Sequence, residues 1–400
     1  MAISRIKNLS WISLLVVLMA GCQKVEHNSS NIRITHQGQD FILLSMHPGP
    51  AGEINCFGIT YAASTDVAWP RTLKEYDSGL DTIRSIYFPD LQEYDDLLRF
   101  GHWSDGTWTM SEVWDFSGFS TSKYHLWKVD ENFQPIKSIK MVHDSTHSPD
   151  VNDVKVINGT TYLSWEEWWI KKRESLCYFA IYDEDLNETY RKNLNSSLES
   201  LPGFKATGFP KITPTSSGEV YYSFLAYFTD HLSLYFGKVD ARGKTQYEEE
   251  IPLTSVVAPI GIGVEANTLI LSAIEGPDSR QIYYRINRSD GKLIDRITPV
   301  DGLVNATYDR PNPLEEVEPG NFGQLLCNPF LRTLQYVTIG KSGLPQHQFD
   351  VPMPDFDQVI AYRSMLTANG SIVIGLSYEY NNEIYFELKK FSKDGKLLDH

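Results

Sequence analysis

Apolar runs along this chain are short, rich in aromatic and β-branched residues, and separated by polar turns. Three of them, TYLSWEEWWI (161–170), EVYYSFLAYF (219–228) and SIVIGLSYEY (371–380), are apolar on both faces of an extended strand. No long stretch places apolar residues at the 3.6-residue period of an amphipathic helix. The pattern therefore predicts an all-β protein whose central strands are covered on both sides.

A repeat of four predicted strands occurs seven times along the chain. Its inner turns, which follow the first strand of each unit, are predicted near Gly38, Gly106, Gly159, Gly218, Asn267, Gly320 and Gly370. Its outer turns, which follow the third strand, are predicted near Ala62, Asp130, Asp183, Asp240, Asn287, Gly340 and Ser392. Four strands in each period of about 50 to 70 residues are typical of propeller blades. We predict a seven-bladed β-propeller over residues 31–400, with six blades and an irregular N-terminal cap as the alternative.

The first unit is the least regular of the seven. Its innermost strand is predicted as NIRITH (31–36), followed by FILLSM and CFGITYA, and residues 77–98 are interpreted as an insertion on the surface. Because the chain after its leader then opens with an inner strand and closes with an outer one, the ring is expected to close sheet against sheet.

The N-terminus has the features of a targeting segment. Arg5 and Lys7 precede a short apolar run, and residues 1–21 are predicted to be a signal peptide. The sequence Leu18-Met19-Ala20-Gly21-Cys22 resembles the lipobox of bacterial lipoproteins, which implies a lipidated Cys22 as the mature N-terminus, and Gln23 then favours the outer membrane. Residues 22–30 are predicted to be a polar tether. Ordinary secretory cleavage is the alternative.

Composition limits the possible partners. Hydrophobic residues make up 42% of the chain and charged residues 22%, which suits a globular protein with a large core. The net charge of −15 becomes −17 without residues 1–21 and argues against nucleic acid as a partner. Cys56, Cys177 and Cys327 are an odd number, so no disulfide framework is predicted; Cys56 and Cys177 are expected to be buried.

Aromatic residues provide the candidate ligand-binding site. Apart from Trp11, every tryptophan lies between positions 69 and 169, which enriches the predicted second and third units and their loops over the rest. Aromatic faces beside polar side chains suit sugars or peptide segments, although packing in the core is the competing interpretation. The predicted ligand-binding residues are Trp103, His143, His147, Asp150, Trp168 and Trp169.

No reaction chemistry follows from the sequence. The loop of residues 143–153 is interpreted as a hydrogen-bonded polar loop, and neither a metal site nor a cofactor is predicted, because its His and Asp spacing matches no compact metal motif. Glu166 and Glu167 are adjacent on a strand and point to opposite faces, so they cannot act together on one glycosidic bond. Whether the protein is an enzyme is left open.

Two family resemblances concern the blades. SPDVNDVKVINGTTYLSWEE (148–167) is similar to the blade opening of sialidase-like propellers, but the complete S-x-D-x-G-x-x-W box is missing. RSDGKLIDRI (288–297) and SKDGKLLDH (392–400) resemble turns of quinoprotein-type propellers, including the outer-membrane assembly lipoprotein. Neither resemblance transfers a catalytic residue. The predicted function is binding of a protein partner or glycan by an anchored propeller, with an exo-acting glycosidase or lyase as the alternative.

Overall fold

The computed structural model describes most of the chain from residue 41 onward. The described residues are 41–49, 51–60, 71–88, 99–102, 108–114, 123–130, 135–140, 147–169, 174–255, 257–276, 280–298, 303–304, 312–328, 333–340, 342 and 344–398. Within them the chain forms 27 β-strands, and all the pairings between these strands are antiparallel. The predicted all-β class is confirmed.

The strands form seven sheets that follow one another along the chain. The first sheet contains β1 (Phe41–Pro48), β2 (Ile54–Thr60), β3 (Arg71–Tyr76) and β4 (Thr82–Phe88). The second contains β5 (Arg99–His102), β6 (Trp108–Trp114), β7 (Lys123–Val129) and β8 (Pro135–Lys140). The third contains β9 (His147–Ile157), β10 (Thr160–Trp169), β11 (Glu174–Tyr182) and β12 (Glu188–Asn193). The fourth contains β13 (Phe204–Pro214), β14 (Val220–Phe228), β15 (Leu232–Val239) and β16 (Thr245–Leu253).

The remaining three sheets repeat this order. The fifth contains β17 (Val257–Val264), β18 (Thr268–Glu275), β19 (Arg280–Asn287) and β20 (Leu293–Ile297). The sixth contains β21 (Glu315–Glu318), β22 (Asn321–Asn328), β23 (Thr333–Ile339) and β24 (Pro345–Val351). The seventh contains β25 (Gln358–Leu366), β26 (Ile372–Tyr380) and β27 (Glu383–Phe391), and a single bridge joins Phe391 to Leu397 beyond β27.

Apolar side chains hold each sheet against the next. A buried hydrophobic cluster lies in the gap between every two consecutive sheets, and another lies between the seventh sheet and the first. A sheet with both faces covered in this way needs strands that are apolar on both sides, which explains the runs in the sequence. The predicted propeller is confirmed, and the seven sheets of the described residues match the predicted number of units.

Hydrogen bonds add to the closure of the ring. Ser377 Oγ accepts the backbone N–H of Leu43 at 2.9 Å and donates to the carbonyl of Phe41 at 2.9 Å. The guanidinium of Arg363 donates from Nε to the carbonyl of Leu44 at 2.9 Å. The seventh sheet therefore packs directly on the first sheet, as the sequence predicts.

The first sheet differs from its prediction. Its first described strand is Phe41–Pro48, and the N–H of Gly49 donates to the carbonyl of Glu53 in the inner turn that follows. The predicted strand 31–36 and the turn predicted near Gly38 lie outside the described residues. The supposed insertion contains the outer turn and β4. Asp77 Oδ1 accepts the N–H groups of Gly79 and Asp81 at 2.8 and 2.9 Å. The outer turn of this sheet therefore lies at Asp77 to Asp81, whereas Ala62, the predicted position, lies outside the described residues.

We call the face of the ring at which the innermost strands begin the upper face, and the face at which they end the lower face. The innermost strands are the first strands of the sheets, and loops from the outer strand of one sheet lead into them at the upper face. No helix in the described part of the chain is long and apolar enough to cross a membrane.

Candidate functional site

The hairpin of β9 and β10 positions four of the six predicted ligand-binding residues. Its turn is Asn158-Gly159, with φ angles of 50° and 71°, as the two central positions of a type I′ turn require. Register pairs Trp169 with His147, Trp168 with Ser148, and Glu166 with Asp150. The backbone therefore brings His147, Asp150, Trp168 and Trp169 together at the upper end of the third sheet.

The side chains of these four residues lie outside the described part of the structure, and so do Trp103, His143 and the predicted lipidation site Cys22 as a whole. Their roles as ligand-binding residues or anchor stay predictions. Cys56 and Cys177, the two cysteines predicted to be buried, are both fully buried. Neither these two nor Cys327 forms a disulfide within the described residues.

Glu166 connects the third sheet to the fourth. Its buried carboxylate accepts a hydrogen bond from Ser175 Oγ at 2.5 Å and one from the backbone N–H of Phe209 at 3.1 Å. Phe209 has a φ of 55°, a left-handed conformation that is unusual for an aromatic residue. It lies within a bulge of β13 between Gly208 and Lys211. The carboxylate therefore fixes a strained segment of the neighbouring sheet.

Glu167 lies on the other face of the same strand. Its Oε1 accepts a hydrogen bond from Trp165 Nε1 at 3.0 Å. The Trp165 ring is fully buried and stacks on Tyr178, with ring centroids 5.3 Å apart. Burial, with the nearby Glu167 carboxylate as the next contribution, raises the pKa of Tyr178 to about 12. The prediction that Glu166 and Glu167 face opposite sides is confirmed, and both are bound to the scaffold.

A partly exposed aromatic surface on the fourth sheet was missed by the sequence analysis. We call Phe204, Phe228 and His231 the aromatic ledge. The rings of Phe228 and His231 are stacked, with centroids 4.4 Å apart and planes within 5°, and Phe204 meets Phe228 edge-on at 5.9 Å. The His231 side chain is 44% exposed, and Leu201 nearby in the chain is 41% exposed. Phe204 and Phe228 are half-buried against the hydrophobic cluster between the third and fourth sheets, so part of this ring surface is open to solvent.

Backbone hydrogen bonds fix the ledge in place. The N–H of Phe228 donates to the carbonyl of His231 at 3.0 Å, and the N–H of Thr229 donates to the carbonyl of Gly203 at 2.8 Å. Thr229 Oγ1 donates to the same carbonyl at 3.1 Å. A surface held in this way loses little conformational entropy when a ligand binds.

Two carboxylates flank His231. Asp230 Oδ1 lies 2.7 Å from His231 Nδ1, and this hydrogen bond lowers the pKa of the Asp230 carboxyl. Glu250 Oε1 lies 3.9 Å from His231 Nε2 and accepts a hydrogen bond from Ser233 Oγ at 2.5 Å. The ledge therefore combines a flat apolar surface with hydrogen-bond acceptors. No group of three or more metal-ligating side chains occurs within the described ranges.

The ledge and the predicted residues share the upper face. β13 begins there with Phe204 and β14 ends there with Phe228, as β9 begins with His147 and β10 ends with Trp169. The third and fourth sheets are neighbours, and Gly208 lies between them: a Cβ atom on it would be 3.4 Å from Glu166 Oε2 and 3.5 Å from the Tyr227 ring. The candidate site is therefore the upper edge of these two adjacent sheets.

Comparisons with known proteins support the fold. No family model and no curated protein matches the chain. Among solved structures, the β-propeller domain of the Trilobed protease from Pyrococcus furiosus is similar, with a TM-score of 0.51 and 8% identity over 92% of this chain and 97% of that chain.

This chain is also similar to parts of two longer solved chains. An acylaminoacyl peptidase has a TM-score of 0.51 and 8% identity over 90% of this chain and 52% of that chain, so this chain spans about half of its length. A sialidase of Trypanosoma rangeli has a TM-score of 0.48 and 11% identity over 75% of this chain and 55% of that chain, which is too low to support an inference. These likenesses show the propeller fold alone.

Proposed function

We propose that this protein is a lipoprotein anchored through Cys22 to the bacterial outer membrane, and that its propeller binds a glycan at the upper edge of the third and fourth sheets. The observation that carries the binding proposal is the aromatic ledge, a stack of the half-buried Phe228 and the exposed His231 with carboxylates beside it. In this proposal Trp168 and Trp169, which are predicted to bind ligand, belong to the same binding surface.

The physical basis is the fit between the ledge and a sugar ring. A pyranose has an apolar face of C–H groups and a rim of hydroxyl groups. The rings of Phe228 and His231 provide a flat surface for the C–H face of the sugar. The carboxylates of Asp230 and Glu250 provide oxygen acceptors for its hydroxyl groups. Aromatic residues supply wide contact area at a low entropic cost. A protein partner uses similar surfaces, so protein binding is an outcome that the experiment must distinguish.

The scaffold role of Glu166 favours binding over hydrolysis. Register places Asp150 opposite Glu166, an arrangement that suits a pair of catalytic carboxylates. However, both oxygens of Glu166 already accept hydrogen bonds, from Ser175 and Phe209. A catalytic carboxylate must be available to the substrate or to water. We therefore propose no glycosidase activity.

The anchor is tested separately from the site. Cells expressing the wild-type protein or its Cys22→Ser variant are labelled with radioactive palmitate and fractionated. We expect label and membrane attachment for the wild type, and an unlabelled soluble protein for the variant, because Cys22 precedes the described strands of the propeller by 19 residues in the sequence. A wild-type protein without label would contradict the lipoprotein proposal.

The binding proposal is tested on a glycan array and by cross-linking in envelope extracts. The full-length Cys22→Ser protein is compared with the same protein carrying Phe228→Ala or His231→Ala. His347→Ala is the matched control, because His347 also lies beside a phenylalanine, Phe349, but on the outer strand of the sixth sheet. Glycan binding that both ledge substitutions reduce and the control preserves supports the proposal. If the protein cross-links to an envelope protein and binds no glycan on the array, the ligand is a protein and the glycan proposal is wrong.

A further inference from the structure

The two carboxylates of the aromatic ledge lie at opposite edges of one ring. Asp230 Oδ1 is 2.7 Å from His231 Nδ1, and Glu250 Oε1 is 3.9 Å from His231 Nε2. The His231 ring is stacked on the half-buried ring of Phe228, so its other face is the one that a ligand can reach. A sugar ring placed on that face therefore has a carboxylate beside it at each edge of the imidazole.

Both carboxylates are accessible and are held in position. The side chain of Asp230 is 82% exposed and that of Glu250 is 42% exposed. Glu250 Oε1 accepts the hydrogen bond of Ser233 Oγ at 2.5 Å. Burial raises the pKa of Tyr235, and the nearby Glu250 carboxylate, which accepts a hydrogen bond from it, raises this pKa further. The carboxylates are therefore available to a ligand without a large rearrangement.

The charge beside the ring is negative in every protonation state of His231. Two carboxylates contact a single imidazole, which carries at most one positive charge. Among the described residues, neither Asp230 nor Glu250 forms an ion pair with a lysine or an arginine, and Lys205, the exposed lysine next to Phe204 in the sequence, pairs with neither of them. At least one negative charge is therefore left for a ligand to neutralise.

We propose that the ledge selects glycans whose sugars carry a free amino group, with the C–H face of the sugar on the His231 ring and its ammonium paired with the carboxylate of Asp230 or Glu250. Hydrogen bonds between an ammonium and a carboxylate are stronger than those between neutral groups, so an amine gains more at these positions than a hydroxyl does. Glycans that carry carboxylate or sulfate groups are repelled by the same charges. This proposal rests on the glycan-binding function above and names the class of glycan.

Two hexasaccharides with the same backbone serve as probes. The β-1,4-linked glucosamine hexamer has an amino group at C2 of each sugar where cellohexaose has a hydroxyl, so the ratio of the two affinities measures the contribution of the amine. Isothermal titration with the full-length Cys22→Ser protein at pH 6, where the probe amines carry their protons, should show tighter binding of the glucosamine hexamer. We expect a ratio of about ten, because ion pairs exposed to solvent add only modestly to affinity.

Three substitutions assign this preference to the ledge. Asp230→Asn and Glu250→Gln remove the charges but keep an oxygen that accepts the hydrogen bonds of His231 and Ser233. Each should lower the ratio to about three, and the double variant to about one. Glu249→Gln is the matched control and should leave the ratio unchanged, because Glu249 precedes Glu250 on β16 and faces the fifth sheet, beside Gly291.

The outcomes separate the amino-sugar preference from glycan binding itself. Equal affinities for the two hexamers, both weakened by Phe228→Ala, would overturn the preference and leave the glycan-binding proposal standing. A ratio that Glu249→Gln lowers as much as Glu250→Gln would assign the preference to the overall negative charge of the protein and would also overturn it. Failure of the glucosamine hexamer to bind would overturn it as well, and the glycan array then decides the proposed function separately.

Discussion

Replacing Glu315 with glutamine should change how the stability of the propeller depends on pH. Glu315 lies on β21, its carboxyl accepts the N–H of Leu366, and its Oε2 is inaccessible to solvent and has no hydrogen-bond partner in the described part of the chain. Burial raises its pKa from 4.5 to about 8, against the opposing effect of the Lys155 charge. The folded protein therefore keeps a proton that the unfolded chain releases.

The sign and size follow from linkage. A raised pKa contributes stability that is fully present below about pH 4.5 and is lost as the pH rises to about 8. Between these values the free energy of unfolding falls by at most about 1.4 kcal/mol per pH unit because of this group. Other titrating groups act on the wild type and the variant alike. The difference in slope between the two proteins therefore isolates Glu315.

Urea denaturation at pH 5, 6, 7 and 8 measures this difference. Glu315→Gln should remove most of the slope that Glu315 contributes, so that the variant gains stability relative to the wild type as the pH rises. Glu316→Gln is the control, because Glu316 is the exposed neighbour on the same strand, and its curve should run parallel to the wild type. Parallel curves for Glu315→Gln as well would refute the argument that this carboxyl is neutral in the fold.

Two more predictions concern the scaffold. Glu166→Ala should lower the unfolding free energy by about 3 kcal/mol, because it leaves the buried Ser175 hydroxyl and the Phe209 N–H without their acceptor. In urea titrations the exposed control Glu174→Ala should stay within about 0.5 kcal/mol of the wild type. Equal losses from the two substitutions would contradict the structural role of Glu166. Deleting Tyr385 to His400 removes most of β27 and uncovers the apolar faces of β26 and the first sheet. We therefore expect the truncated protein to aggregate on expression. A cooperative melt near the wild-type temperature would show that the ring does not need this hairpin.

The sequence was informative about turns because turn geometry depends on local chemistry. Asn158-Gly159, Gly218, Gly320 and Gly370 all lie at the inner turns predicted for them, and each of these glycines has a positive φ. Glycine adopts such angles without the steric cost that other residues meet, so its position can be recognised without knowledge of the tertiary structure.

The sequence does not identify the first strand of the first sheet, because two neighbouring segments are equally β-rich. Residues 31–36 are as β-rich as the true innermost strand Phe41–Pro48, and periodicity does not rank one above the other. The outer turn of this sheet does have a recognisable sequence pattern. Asp77-Ser78-Gly79-Leu80-Asp81 has the same pattern as Asp183-Glu184-Asp185-Leu186-Asn187, and in both turns the first aspartate accepts two backbone N–H groups. Both leucines have positive φ angles, of 70° and 55°.

The ledge was missed for a different reason. Tryptophan is the aromatic residue whose distribution along the sequence is uneven, whereas the ledge stack consists of a half-buried phenylalanine and an exposed histidine on either side of a two-residue turn. Which aromatic residues are buried depends on packing between sheets: Trp165, inside the tryptophan-rich region, is fully buried, while His231 is exposed. Composition alone does not separate these cases.

The most direct test of the central claim is the affinity of the ledge for the glycan selected on the array. Isothermal titration with the Cys22→Ser protein should give saturable binding, and Phe228→Ala should weaken it by about 2 kcal/mol, or roughly thirtyfold, as expected for an aromatic hot spot. His347→Ala should bind like the unsubstituted protein. Unchanged affinity in a folded Phe228→Ala protein would contradict the account, because the ledge would then take no part in recognition.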